Sequence, residues 1–282
     1  MIAHMAAALM ASMAMGQQMD TTFAVSGTGQ LDLQNHEGTV TVSTWDRDEL
    51  RIRADWDDGR RPVSIRNAGS TVRVRVAGEY GLPRVEFDIT APRGMSIALQ
   101  GVELDVTIDG SAGNIAVNSV EGVIDVTGGS GNVALNAVDG NVAVRDARGN
   151  IAVHAIDGDV SVTDSRGTLR VESVEGDVEL LNIDSENVGV NVVDGDVTFR
   201  GAIHDGGRYF MSTHDGDLDI TVPSEANARV SIATFDGELV SDIPIQIEGD
   251  FSQKRFSFTL GTGRALIELS SFDGVIRLNK SR

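Results

Sequence analysis

Cysteine is absent from this 282-residue chain, which excludes disulfides and thiol-linked lipid and leaves the redox compartment open. Aromatic residues make up only 5% of the sequence, so any core must be aliphatic and β-branched. Positive charge is scarce: 23 Lys and Arg face 42 Asp and Glu, a formal net charge of −19. That balance disfavours a nucleic-acid partner, because phosphate contacts need clustered cations. No apolar run is long enough to span a bilayer. The motifs GxSxG, HExxH, the Walker loop and the dinucleotide fingerprint are all missing. Five scattered histidines without cysteine make a poor transition-metal set.

Glycine, by contrast, is plentiful and regular. From Gly113 it recurs every nine residues at Gly122, Gly131, Gly140, Gly149, Gly158, Gly167 and Gly176. Alternate nonamers differ, so the true repeat is 18 residues. Superposed repeats give apolar columns. Ile97, Ile115, Val133, Ile151, Leu169 and Val188 form one, and Leu99, Val117, Leu135, Val153, Val171 and Val190 the next. The other half-repeat contributes Val106, Ile124, Val142, Val160, Val178 and Val197, then Ile108, Val126, Val144, Val162, Leu180 and Phe199. A further column stands at the turn: Val102, Val120, Val138, Ile156, Val174 and Val193. Apolar spacing of two predicts strands with one buried face. A short unit that cannot bury its face alone predicts a stacked array. The expected fold is all-β: a single-stranded parallel β-solenoid of about 18-residue coils with β-strand caps. The turn column is expected to share the core, so that aspartate at Val138 breaks the stack.

The chain divides into four stretches on this reading. Residues 1–16 resemble a signal peptide, with an apolar run from Met5 to Met15 but no basic n-region. Residues 17–46 form an N-terminal coil or cap. Residues 47–94 break the period with four alternating strands and hold ten basic residues against eight acids. Residues 95–282 are the solenoid and its C-terminal cap. Export would place the protein in the periplasm or the medium.

Three segments carry a family resemblance. Gly29-Gln-Leu-Asp-Leu is followed by Gly38-Thr-Val-Thr-Val-Ser-Thr-Trp45 and by Asp48-Glu-Leu-Arg-Ile. Val-Glu-Gly and Val-Asp-Gly steps fill the middle. Val222-Pro-Ser-Glu-Ala-Asn-Ala-Arg-Val and the stretch from Gly261 to Gly274 form the close. Together they resemble the bacterial "putative adhesin" domain-of-unknown-function family of exported β-helix proteins. The resemblance implies a right-handed parallel β-helix outside the cytoplasm, with no catalytic residues to transfer.

Two groups are candidate binding residues. An acidic column precedes each turn glycine: Glu103, Glu121, Asp139, Asp157, Glu175, Asp194, Asp215, Asp236 and Asp273. A broken second column follows it: Asp105, Asp159, Asp177, Asp196, Asp217 and Glu238. Stacked carboxylates roughly 5 Å apart repel one another, so they invite calcium or simply solvent. The opposite patch is Arg51, Arg53, Arg73 and Arg75, either an anion site or the wet face of a half-buried sheet. No cofactor is required, calcium being the one alternative. The function expected is a non-enzymatic envelope or surface module, an adhesin or scaffold binding along its faces. The partner is an envelope polymer or protein, and self-association stays open. The alternatives are a secreted calcium-binding protein like a β-roll, and a β-helical polysaccharide-degrading enzyme centred on the loop-rich stretch from Tyr209 to His214.

Overall fold

The computed structural model describes residues 17–57, 62–77, 83–243 and 255–281. The leader expected at 1–16 lies outside the described residues. Among the described residues the protein is all-β, without a helix. The first strands are β1 (Gln17–Ala24), β2 (Gln30–Gln34), β3 (Glu37–Trp45), β4 (Glu49–Trp56), β5 (Val63–Ala68), β6 (Thr71–Val76) and β7 (Val85–Pro92). The repeats supply β8 (Ser96–Gln100), β9 (Glu103–Ser111), β10 (Ile115–Glu121), β11 (Ile124–Gly128), β12 (Asn132–Asp139) and β13 (Val142–Arg145). They continue as β14 (Arg148–Asp157), β15 (Val160–Thr163), β16 (Arg166–Glu175), β17 (Val178–Asp194) and β18 (Val197–Gly201). The last are β19 (Arg208–Asp215), β20 (Leu218–Val222), β21 (Ala228–Thr234), β22 (Glu238–Ser241), β23 (Arg255–Leu260), β24 (Ala265–Asp273) and β25 (Val275–Lys280).

Side-chain alternation decides what each strand buries. In β12 Val133, Leu135 and Ala137 are buried, while Asn132 and Asn136 face outward. Parallel pairing then sets like on like: Val133 opposes Ile115 on β10 and Ile151 on β14. The same register joins Val142 to Ile124 and Val160. One parallel ladder thus runs β8, β10, β12, β14, β16, β17 and β19, and another runs β9, β11, β13, β15, β17, β18 and β20. The two inward columns of each ladder are buried throughout. Each such Val, Leu or Ile contributes roughly 1.5–3 kcal/mol, but only while the adjacent repeats keep water out.

Glycine is needed at the turns because adjacent repeats approach so closely. Gly140 has φ +130°, and a Cβ there would collide with the Gly122 carbonyl one repeat away. At the other corner Asp146, Asp164 and Asn182 adopt φ near 54°, which these short polar side chains tolerate.

Spatial order departs from chain order at both ends. Although earlier in sequence than both neighbours, β2 lies between β6 and β8, and β3 lies between β7 and β9. At the far end β24 separates β19 from β21, and β25 separates β20 from β22. The irregular stretch around β4 to β7 therefore joins the parallel ladders through β6 and β7. Antiparallel strands then cover the ends: β5 on β6, β4 on β7 with β1 on β4, and β23 on β21. Such strands shield ladder edges that would otherwise offer unpaired backbone groups. The sheet is thus mixed.

Candidate binding groove

The turn column is not core, which corrects the expectation from sequence. Val120 and Val138 are 41% exposed, Ile156 49%, Val174 42% and Val193 50%. Parity explains it: Val138 lies three residues after the buried Leu135, and an odd step along a strand points to the opposite face. The inward position beside the turn belongs to a small residue instead, Ser119, Ala137, Ala155 or Ser173. The hydroxyls there serve the turn backbone, Ser119 donating to the Glu121 carbonyl at 2.7 Å and Ser173 to Glu175 at 3.2 Å.

Outward valines and isoleucine form one wall of a groove along the ladder. The other wall is the polar column two residues earlier: Asn118, Asn136 and His154, in mutual register. Asn136 Nδ2 donates to Asn118 Oδ1 at 2.7 Å, holding that wall upright. The concave space spans about 400 Å³ and is mainly apolar. The next repeat places Glu172 beside His154 (2.9 Å) and Arg170. The Arg170 guanidinium, then His154, holds the Glu172 carboxyl below its ordinary value against the opposing effect of burial.

Beyond that repeat a second stretch of about 390 Å³ occupies the same side of the turn, lined by Val192, Ser212, His214, Phe235 and Phe272. Aromatics replace valine there: Phe272 stacks on His214 at 4.6 Å and on Phe235 at 4.7 Å. Phe235 is 69% exposed.

The first acidic column borders the apolar wall. Glu121, Asp139, Asp157, Glu175, Asp194 and Asp215 oppose one another in successive strands and face solvent. None of the six enters an ion pair among the described residues. The second column has structural work. Asp159 Oδ1 accepts the Asp177 N–H, Asp177 Oδ1 that of Asp196, and Asp196 Oδ1 that of Asp217, at 2.8–2.9 Å. Asp105 and Asn141 do the same for Val123 and Asp159. Each carboxylate thereby binds the turn of the following repeat.

A family model, Toastrack DUF4097, matches residues 29–279. The chain belongs to the Toastrack DUF4097 family. No curated protein matches it. Among solved structures, a "putative adhesin" from Bacteroides fragilis NCTC 9343 is similar at 14% identity and TM-score 0.46, over 93% of this chain and 97% of that one. A "putative lipid binding protein" from Parabacteroides distasonis ATCC 8503 is similar at 9% identity and TM-score 0.49, over 95% and 98%. A "putative cell adhesion protein" from Clostridium sporogenes ATCC 15579 is similar at 10% identity and TM-score 0.28, over 94% and 100%.

The four arginines of this Toastrack chain singled out from sequence fall into two pairs with separate acid partners. Arg51 and Arg53 lie on β4 and share Asp20, Arg53 also reaching Asp88 at 3.0 Å. Arg73 and Arg75 lie on β6 and converge on Asp32, at 3.5 and 2.8 Å. The Arg51 guanidinium holds Asp20 below its ordinary value. In the stretch from Tyr209 to His214 the Tyr209 hydroxyl is internal, donating to the Ser185 carbonyl and accepting the His204 N–H, both at 2.8 Å. Burial raises its pKa. Among the described residues no three His, Cys, Asp or Glu side chains gather to hold a metal ion, and no helix is long and apolar enough to cross a membrane.

Proposed function

We propose that this chain is an exported, non-enzymatic binding module, acting as an adhesin or scaffold that grips an elongated partner along the groove. In this reading residues 1–16 are removed as a signal peptide, and the mature chain works in the periplasm or outside the cell. Its repeats wind as a parallel β-solenoid, right-handed as parallel crossovers nearly always are.

The observation that carries the reading is the exposed apolar ladder at Val120, Val138, Ile156, Val174 and Val193. A contiguous outward apolar row is costly to leave in water and marks an interaction surface. A scaffold that needed only solubility would place Asn or Thr there. Among the described residues the groove walls offer no nucleophile hydrogen-bonded to a base, which favours binding over turnover.

Cosedimentation of the chain with purified envelope, peptidoglycan and acidic polysaccharide tests it, at low and high salt, with calcium or chelator. Retention by one fraction is expected, and a Val138→Ser/Ile156→Ser double variant should lose it. Retention indifferent to that variant, or steady release of reducing ends from a polysaccharide, would overturn the reading.

A further inference from the structure

We infer that the groove takes a cationic amphipathic helix of a polypeptide partner, an inference that rests on the binding reading above. Pitch is the first argument. The apolar wall offers one branched side chain per strand, spaced roughly 4.8 Å apart. A helix laid along it presents one residue of its stripe per turn, about 5.4 Å apart. Over three turns the two rows drift by only about 2 Å. An extended strand repeats a face at about 6.8 Å and is out of step by the first interval.

Charge is the second. The residue after each apolar side chain is acidic: Glu121 follows Val120, Asp139 follows Val138 and Asp157 follows Ile156. These three carboxylates are exposed and, unlike Asp20, Asp32 and Asp88, have no arginine partner among the described residues. A helix whose apolar stripe is flanked by Lys or Arg would satisfy both rows together. The net charge of −19 works against a second copy and against an anionic bilayer.

The test is fluorescence titration of the full chain with a synthetic Leu/Lys amphipathic helix of about 18 residues, long enough to form on contact. A scrambled peptide of the same composition and a Leu/Glu helix serve as comparisons. Two variants accompany them: Val138→Ser/Ile156→Ser, and Glu121→Gln/Asp139→Asn/Asp157→Asn. All these side chains face solvent, so both variants should melt like the parent. The expected result is binding of the Leu/Lys helix alone, weakened about tenfold or more by each variant and weakened by salt. Equal binding of the scrambled peptide would overturn the inference by reducing it to bulk charge. So would binding that ignores the valine and isoleucine changes. Retention on phosphatidylglycerol vesicles, or a dimer in sedimentation that the Val138/Ile156 variant dissolves, would assign the groove to a membrane or to a second copy. If the helix fails while envelope retention still requires Val138 and Ile156, this inference falls and the groove remains a binding site. If retention is also indifferent to them, both fall.

Discussion

Asp217 joins strands far apart in the chain: its Oδ1 accepts the Val275 N–H at 2.7 Å, and its Oδ2 the Arg277 guanidinium at 2.6 Å. Residues 58 positions apart are thus bound at one turn, where β25 lies against β20. The Val275 amide, and after it Arg277, keep the Asp217 carboxyl below its ordinary 3.8. A depressed folded value means stabilisation present above 3.8 and lost as pH falls through the folded value. Asp217→Ala should cost about 1–2 kcal/mol at neutral pH, discounted because the side chain is a third exposed. Thermal melts of parent and variant should converge in acid.

Side-chain parity makes a sharper prediction. Val138→Asp should shift stability by no more than about 0.5 kcal/mol, as expected for an outward position. Leu135→Ala, three residues earlier and fully buried, should cost about 2–5 kcal/mol. Denaturant melts of both variants check it, and a severe loss at Val138 would restore the turn column to the core.

Gly140→Ala should destabilise by more than about 1 kcal/mol, since φ +130° and the Gly122 carbonyl both oppose a Cβ. Limited proteolysis should then cut near this repeat. Gly69, with φ +73° but nothing within 4 Å of a Cβ, is the comparison that keeps the backbone strain and removes the collision. Gly69→Ala should be the milder of the two.

The Tyr209 hydroxyl bridges the Ser185 carbonyl and the His204 N–H. Tyr209→Phe leaves both without that partner and should cost about 1–3 kcal/mol. Burial raises the Tyr209 pKa above 10.0, so the folded state keeps its proton longer than the unfolded chain does. That stabilisation is present in full below pH 10.0 and is lost as pH rises through the folded value. Melting curves at alkaline pH should fall less steeply for Tyr209→Phe than for the parent.

The inward columns were legible in the sequence because a nine-residue glycine period and two-residue apolar spacing leave little choice of register. The outward valine ladder was legible too, since an odd step from Leu135 to Val138 reverses the face. Similarity of residue type suggested core, whereas strand geometry assigns the surface. The second acidic column also carried a signal: Asn141 stands where Asp159 and Asp177 stand, and what asparagine and aspartate share is an accepting oxygen. That pointed to turn bonding before cation binding. The positions of β2 and β24 inside the ladders were not legible, because a repeat fits equally well on either side of its neighbour. Nor did Arg51, Arg53, Arg73 and Arg75 announce their partners, since Asp20 and Asp32 lie on strands distant in sequence.

We propose that the ladder at Val138 and Ile156 is the working face of the protein. A photoreactive side chain placed at 138 or 156, with position 145 on β13 as the comparison, tests it directly by cross-linking in living cells that export the chain. One discrete product from 138 and 156, absent from 145, is the predicted result. No product from any position, or the same product from all three, would contradict it.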